Sequence, residues 1–217
     1  MRYYMPSTPS VLTLLTDPDG FFAAKEPDDW GYLRPVLVVA GTGLLGAVSA
    51  YLMTSLVLAA LPEDAQSVGA FIGLIGAAGG FLGPFLIWGV LAVVFFLISA
   101  LFDGEGSLKK TAAYVGWGFL PQLLGSVVSL ALTYVGLQGI TPPSDAAQYQ
   151  AFVQQLQSRP IFLLSSVLGV VFLLWAGFVW TFALKHARDL DLRQAAITVF
   201  VPVGLYALYQ LSTYVQI

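Results

Sequence analysis

The sequence of 217 residues is poor in charge, holds one histidine and has no cysteine. Without cysteine the chain cannot form a disulfide, a thiolate metal site or a cysteine nucleophile. The single histidine, His186, cannot build a zinc site unaided, and no His-Glu-x-x-His pattern occurs. Charged side chains make up 10% of the residues, whereas a soluble domain carries about 25%. So few charges cannot cover a surface that faces water, which excludes an ordinary soluble protein.

An excess of basic residues is also missing. The net charge is −3 and the isoelectric point is near 4.9. No run of Lys and Arg exceeds two residues, so nucleic acid is not expected as a partner. A cleavable signal peptide is not expected either, because the apolar stretch Val11–Leu15 is shorter than the roughly 7–15 residues that such a peptide needs.

Apolar residues are abundant instead, since 58% of the chain is hydrophobic and the mean hydropathy is +0.81. A helix needs about 20 apolar residues to cross the hydrocarbon core. Four segments without a charged residue meet this requirement: Pro35–Ala59, Ala112–Leu137, Ile161–Leu184 and Ala195–Val215. Uninterrupted apolar runs favour helices over the alternating strands of a membrane barrel. The sequence therefore predicts an all-α membrane protein.

A fifth apolar segment, Val68–Phe102, is too long for one untilted crossing, since a straight helix of that length would span roughly 52 Å. Its first half is rich in glycine and is followed by Pro84. We predict a bend near residues 79–84 and a crossing over residues 84–102. Residues 68–83 would lie at the outer interface, re-enter the bilayer or extend a strongly tilted helix, and these three alternatives stay open. Glycines spaced four apart in this segment favour packing within the bundle over dimerisation.

The distribution of basic residues predicts which side of the membrane each end of the chain faces. With five crossings and a cytoplasmic N-terminus, eight of the nine basic residues lie inside and only Arg159 lies outside, as the positive-inside rule asks. A separate crossing over residues 68–80 would move five of them outside. We therefore predict a bundle of five transmembrane helices, with the N-terminus in the cytoplasm and the C-terminus outside.

The chain divides into two unequal parts. Residues 35–217 are predicted to form the five-helix transmembrane domain, with crossings at about 35–59, 84–102, 112–137, 161–184 and 195–215. Residues 1–34 form a short N-terminal segment at the cytoplasmic face. Its apolar and aromatic residues suit a chain lying at the membrane interface, and a partly ordered tail explains them equally well.

Groups that perform acid, base or metal chemistry are missing from the segments at bilayer depth. We therefore expect neither an enzyme nor a cofactor. The lack of ionisable groups also argues against a proton-coupled carrier, but it leaves a channel or a lipid-conducting groove open. Gln122 and Thr198 are the candidates for an intramembrane polar site. Gln122 follows Pro121, which frees a carbonyl near Trp117, so its amide either bonds this carbonyl or a neighbouring helix, or binds a ligand.

The two predicted cytoplasmic turns have similar sequences. Leu108–Ala113 resembles Leu192–Ile197, and a proline follows each, which indicates either a parallel repeat or chance similarity. Ser107 and Asp191 are expected to cap the helices that follow the turns. The charged residues of both turns are candidates for one docking surface that holds anionic headgroups or a protein partner. These candidates are Asp103, Glu105, Lys109, Lys110, Arg188 and Arg193.

Three short patches lie in or near these turns: Phe102–Lys109, Gly116–Pro121 and Phe200–Tyr206. They resemble, in that order, the glycine-rich inner turn, the Gly-Tyr-x-x-Leu-Pro motif (with tryptophan for tyrosine) and the proline-containing last helix of one family. This is the Yip family of Ypt/Rab-interacting polytopic membrane proteins, and the resemblance is closest to its prokaryotic members. The motif positions in this chain are Gly104, Gly106, Gly116, Trp117, Pro121, Pro202 and Tyr206.

The resemblance implies a five-crossing membrane protein with little chemistry of its own. Eukaryotic members are linked to Rab-type GTPases and vesicle trafficking through a long cytosolic N-terminal region, whereas about 34 residues precede the first crossing here. The resemblance therefore implies a multi-pass protein of a bacterial or archaeal plasma membrane, and it indicates no activity.

The first functional hypothesis is a non-enzymatic membrane scaffold that organises partners or lipids through its cytoplasmic turns. Its expected partners are the lipid bilayer and an unidentified protein at the cytoplasmic face, while the oligomeric state stays open. The alternative is a small-solute or lipid transporter or channel built on proline-broken helices. A polar tunnel lined by Gln122 and Thr198 would favour transport, and a dry, packed bundle would favour the scaffold.

Overall fold

The computed structural model describes residues 10–25, 31–58, 66–143 and 148–215, and every regular element within these ranges is helical. Helices are expected here because lipid offers no hydrogen-bond partner to an open backbone. The short helices are α1 (Val11–Thr16), α2 (Pro18–Ala23), α5 (Leu108–Trp117) and α7 (Tyr149–Gln157). The long helices are α3 (Leu33–Leu58), α4 (Gln66–Ala100), α6 (Leu120–Leu137), α8 (Pro160–Arg188) and α9 (Leu192–Val215).

Five stretches within the described ranges are long and apolar enough to cross a membrane. They are Leu33–Leu56, Ser67–Ala100, Leu108–Leu137, Pro160–Arg188 and Leu192–Ser212. The predicted all-α architecture with five membrane-spanning helices is therefore confirmed. The side of the membrane that each terminus faces stays a prediction.

The second crossing is one continuous helix, α4, which passes through Pro84. Of the three alternatives for residues 68–83, the structure shows an extended helix, so the predicted start at residue 84 is wrong. Packing explains the difference, because α4 lies directly on α3. A Cβ atom added at Gly80 would lie 2.6 Å from the Gly46 carbonyl oxygen, and one at Gly46 equally close to that of Gly80. Gly80 thus brings two backbones into contact within the bundle, as predicted, whereas a Cβ atom at Gly79 or Gly83 would meet nothing within 4 Å.

The third crossing consists of two helices, α5 and α6, joined at Gly118 and Phe119. Pro121 lies in the first turn of α6, where its missing N–H would have no helical partner in any case. Pro202 behaves differently, since α9 runs through it without interruption. Of Pro84, Pro121 and Pro202, only Pro121 therefore coincides with a break between described helices.

The N-terminal segment is folded onto one end of the bundle. Helices α1 and α2 bury Leu14, Phe21 and Phe22, which belong to the same hydrophobic cluster as residues of α5 and α8. The alternative of a partly ordered tail is therefore wrong for residues 10–25. The predicted division at residue 35 does not separate two packing units, because the cluster extends across it.

We call this end of the bundle the charged end. It is the end at which α4 and α8 stop and α3, α5 and α9 start. The phenol of Tyr32, just before α3, donates a hydrogen bond of 2.7 Å to the Lys109 carbonyl at the start of α5. The two turns with similar sequences, residues 101–107 and 189–191, both lie here.

Candidate functional site at the charged end

The helices that precede the two turns end in the same geometry. Asp103 and Asp189 both adopt the left-handed conformation, with φ of 57° and 54°. In each case the next amide donates to a carbonyl five residues back, Gly104 to Ser99 at 3.0 Å and Leu190 to Lys185 at 3.1 Å. These bonds satisfy carbonyl groups that a helix end otherwise leaves unpaired.

The helices that follow the turns are capped as predicted. The Ser107 hydroxyl accepts a hydrogen bond of 3.2 Å from the Lys110 amide. The Asp191 carboxylate accepts one of 2.7 Å from the Gln194 amide, and the Gln194 side chain in turn accepts from the Asp191 amide. Both caps satisfy free N–H groups at a helix start, and the second is a reciprocal capping box.

Arg188 joins the two turns. It is 2% exposed. Its Nε donates to the Ser99 hydroxyl at 2.8 Å, Nη1 donates to the Gly106 carbonyl at 2.6 Å, and Nη2 donates to the Gly104 carbonyl. The guanidinium also lies 4.3 Å from the centre of the Phe96 ring, a favourable cation–π position.

Arg188 is therefore not a docking residue, and its predicted place on the exposed surface is wrong. Guanidinium has a planar set of donors that suits several carbonyl acceptors at once. The Glu105 amide adds a backbone bond of 2.8 Å to the Arg188 carbonyl. The two turns consequently form one body, although they are far apart in sequence.

Gly104 and Gly106 are required by this junction. Gly106 has a φ of +92°, and a Cβ atom there would lie 2.7 Å from the Ala187 carbonyl oxygen. A Cβ atom at Gly104 would lie 2.8 Å from the Ser99 carbonyl oxygen. The glycines of the first motif thus allow the turn to lie against the end of α8.

The other five predicted docking residues lie together at the surface of the charged end. Asp103, Glu105, Lys109 and Arg193 are exposed, while Lys110 is partly exposed and its Nζ lies 5.6 Å from the centre of the Tyr114 ring. The charged end therefore exposes both signs of charge.

The N-terminal segment contributes Asp19 to the same end. The Asp19 carboxylate accepts hydrogen bonds of 2.8 and 2.9 Å from Lys185 Nζ, and it lies 2.6 Å from His186 Nε2. The bond from Lys185, and then that from His186, hold the pKa of Asp19 below its ordinary value of 3.8. No sequence pattern indicates this cluster, because Asp19 is separated from Lys185 and His186 by 166 and 167 positions.

Aromatic contacts fix α2 beside the second motif. The Phe21 ring lies edge-on to Trp117 at 5.3 Å, and the Phe22 ring stacks on Tyr114 at 5.1 Å. Lys25 Nζ lies 5.1 Å from the Trp117 ring centre. Trp117, a family-motif position, thus holds the N-terminal segment in place.

The glycines on either side of Trp117 admit two other tryptophans. A Cβ atom at Gly118 would overlap the Trp180 ring, and one at Gly116 would lie 3.2 Å from the Trp88 ring. The indole of Trp88 donates to the Ala112 carbonyl at 2.7 Å, and that of Trp180 donates to the Val115 carbonyl at 2.8 Å. The second motif therefore places indole donors against the carbonyls of α5, close to its break.

A cavity of about 640 Å³ lies between α4, α6, α8 and α9. Gln122, Pro202 and Tyr206 line it, but most of the lining is apolar. Thr198 does not reach it, since this residue is fully buried and its hydroxyl donates to the Gln194 carbonyl at 2.8 Å. The predicted polar site of Gln122 and Thr198 is therefore not formed, because the two side chains lie in different environments.

Metal ligands are not clustered in the part of the chain that the structure describes. No group of three or more His, Asp or Glu side chains there is placed to hold a metal ion.

Comparison with known proteins gives a family match over most of the chain. The model of the Yip1 domain family matches residues 12–214. An uncharacterized protein of Methanocaldococcus jannaschii is 35% identical over 125 residues, which is 58% of this chain and 89% of that relative. No solved structure matches the chain. The match begins within α1, so the family region includes the N-terminal segment packed at the charged end.

Proposed function

The chain belongs to the Yip1 domain family, and from that premise we propose that it is a non-enzymatic membrane scaffold that binds a protein partner at its charged end. This end would face the cytoplasm of a bacterial or archaeal cell, with the helices in the plasma membrane. The observation that carries the proposal is the Arg188 junction, which makes one body of two turns.

A fixed arrangement of charges suits recognition of a partner. Exposed side chains on mobile turns would lose conformational freedom on binding, whereas here the backbones beneath them are already held. Asp103 and Glu105 lie on one turn, and Lys109 and Arg193 start the helices beside it. Complementary charges on a partner would set its orientation and exclude wrong partners.

The positive-inside rule supports a cytoplasmic location of this end. Lys109, Lys110, Lys185, Arg188 and Arg193 all belong to it, while Arg159 lies beyond the opposite end of α8. Basic residues close to the ends of transmembrane helices are retained on the cytoplasmic side.

Passage of a polar solute has less support. The cavity is mainly apolar, and the described residues that line it include no Asp, Glu, His, Lys or Arg. Pro84 and Pro202 lie inside uninterrupted helices, so within the described residues the α5–α6 break is the single example of the broken helices typical of transporter sites.

The scaffold proposal is tested by reversing the exposed positive charges. The triple variant Lys109→Glu, Lys110→Glu and Arg193→Glu should lose its partner in cross-linking and co-purification from intact cells, because three attractive contacts become repulsive. The matched control is Lys109→Arg, Lys110→Arg and Arg193→Lys, which keeps the charges and should keep the partner. Equal partner recovery from both variants, at equal membrane levels, would refute the proposal.

A further inference from the structure

The cavity is an elongated groove in the middle part of the bundle. On α8 its lining runs from Ser166 to Trp180, and on α4 from Pro84 to Val94. At 1.5 Å per residue these stretches measure about 21 and 15 Å along the helix axes. Half of a hydrocarbon core of about 30 Å is about 15 Å. The groove therefore matches the length of a lipid chain in a single leaflet.

The groove lies in the middle part of the bundle and is not confined to the half next to either end. Trp180 lies nearer the charged end than Ser166 does, because α8 stops there at Arg188. On α9, which starts at the charged end, the lining begins at Pro202 and reaches Gln210. On α4, which stops at the charged end, the lining from Pro84 to Val94 lies in the half next to that end.

The groove is open towards the hydrocarbon on one side. Leu86, Ile87 and Val90 line it and are 70%, 53% and 60% exposed. These side chains belong to a membrane-spanning stretch, where the surrounding solvent is lipid. The groove is thus continuous with the lipid-facing surface of α4.

One part of the groove, which we call the floor, is apolar and buried. The floor is formed by Phe119 and Trp180, which are both buried and whose rings lie edge-on at 5.5 Å. The indole N–H of Trp180 is already bonded to the Val115 carbonyl. The floor consequently offers ring surface to an apolar group.

We propose that this groove binds one hydrocarbon chain of a membrane lipid, with the chain terminus on Phe119 and Trp180. An empty apolar volume of about 640 Å³ would forfeit dispersion contacts along its whole lining. The volume falls within the roughly 300–1,000 Å³ of ordinary ligand sites. A lipid chain is the ligand that this groove would meet, because its open side at Leu86, Ile87 and Val90 faces the bilayer.

A photoreactive lipid tests the proposal. The full chain is reconstituted in phosphatidylglycerol nanodiscs that contain a phosphatidylglycerol with a diazirine at the end of one chain. After illumination, we expect adducts on the buried floor residues Phe119 and Trp180, located by mass spectrometry. Adducts confined to exposed side chains of the same depth, such as Phe178, would overturn the assignment.

Two glycines provide a matched pair of variants. A Cβ atom would meet nothing within 4 Å at either Gly169, which lines the groove, or Gly89, which does not. Gly169→Phe should fill the groove and abolish floor labelling, whereas Gly89→Phe should leave it unchanged. Floor labelling that survives Gly169→Phe, or that is lost equally in both variants, contradicts the proposal.

Gln122 distinguishes a hydrocarbon chain from a polar ligand. Its carboxamide lines the groove, and no residue in the described ranges hydrogen-bonds to it. Gln122→Leu keeps a similar volume and removes the amide. A hydrocarbon chain has no group that could hydrogen-bond to this amide. The labelling of Phe119 and Trp180 should therefore stay the same or rise. Loss of labelling in correctly folded Gln122→Leu would indicate a ligand bound by hydrogen bonds and would overturn the chain assignment.

Discussion

Among single residues, Arg188 shows how a buried charge can be accommodated at the end of a membrane helix. Burial of a charge is unfavourable unless hydrogen bonds replace its water. Here the guanidinium reaches one hydroxyl and two backbone carbonyls, and it stacks near the Phe96 ring. Its partners belong to another turn of the chain, so its burial and the joining of the turns depend on each other.

The first prediction concerns the loss of this side chain. Arg188→Met keeps the length and removes every donor, which leaves the Gly104 and Gly106 carbonyls unpaired. Hydrogen bonds to a charged group contribute about 1.5–3 kcal/mol each, so we expect the free energy of unfolding to fall by at least that amount. The measurement is denaturant unfolding in micelles.

Arg193 is the control for this prediction. It carries the same charge at the same end but is exposed. Arg193→Met should change the free energy of unfolding by no more than about 0.5 kcal/mol. If both variants unfolded alike, the junction would contribute nothing to stability.

At the scale of elements, α2 is held to α8 through Asp19. The folded-state pKa of this carboxyl is lower than its ordinary value of 3.8. A lowered pKa means that the charged form stabilises the docked state. This contribution is complete above the unfolded-state pKa and is lost as the pH falls through the lower folded-state pKa.

The second prediction is that α2 detaches in acid. The chain has no cysteine, so a nitroxide can be placed at Ala23→Cys, an exposed position at the end of α2. Its electron paramagnetic resonance spectrum should show increased mobility below a pH of about 4. Asp19→Asn should show that mobility already at neutral pH. A nitroxide at Gly89→Cys should not respond in either case, and an unchanged spectrum at position 23 would contradict the role of Asp19.

The third prediction uses neighbouring glycines on α4. A side chain at Gly80 would enter the Gly46 backbone, whereas a Cβ atom at Gly79 meets nothing within 4 Å. Gly80→Leu should therefore separate α3 from α4 and lower the melting temperature, and Gly79→Leu should not. A thermal melt of each variant in the same detergent makes the comparison. Equal melting temperatures would mean that the close helix approach is unimportant.

The sequence predicts the crossings because lipid imposes length and apolarity on each of them locally. It also predicts the caps at Ser107 and Asp191, which depend on residues three positions away. It fails for α4, because Gly and Pro indicate a local break that contact with α3 overrides. The sequence-based predictions for Arg188 and Thr198 are wrong. The residue type alone does not indicate which hydrogen-bond partners the folded chain supplies to a charged side chain in a turn or to a hydroxyl at mid-depth.

At the scale of the whole molecule, the two ends of the bundle differ. The charged end joins the two turns and the N-terminal segment in one hydrophobic cluster. The opposite end carries the short helix α7 and Arg159, the residue before α8. Because the two ends differ, we expect the protein to function in only one orientation across the membrane.

The fourth prediction fixes that orientation. In the chain without native cysteine, Lys109→Cys marks the charged end and Gln138→Cys the opposite end, and both positions are exposed. An impermeant maleimide added to intact cells should label Gln138→Cys and should reach Lys109→Cys only after permeabilisation, as expected from the positive-inside rule. The reverse result would place the turns outside the cell and remove the cytoplasmic partner from the proposed function.

The enclosure of α5 has a consequence for biosynthesis. Trp180 covers Gly118 but emerges from the ribosome long after it. Proteins are made from the N-terminus onwards, so a nascent chain that stops before α8 lacks the side chain that covers this part of the third crossing. We therefore expect the third crossing to complete its packing only after the fourth has been made.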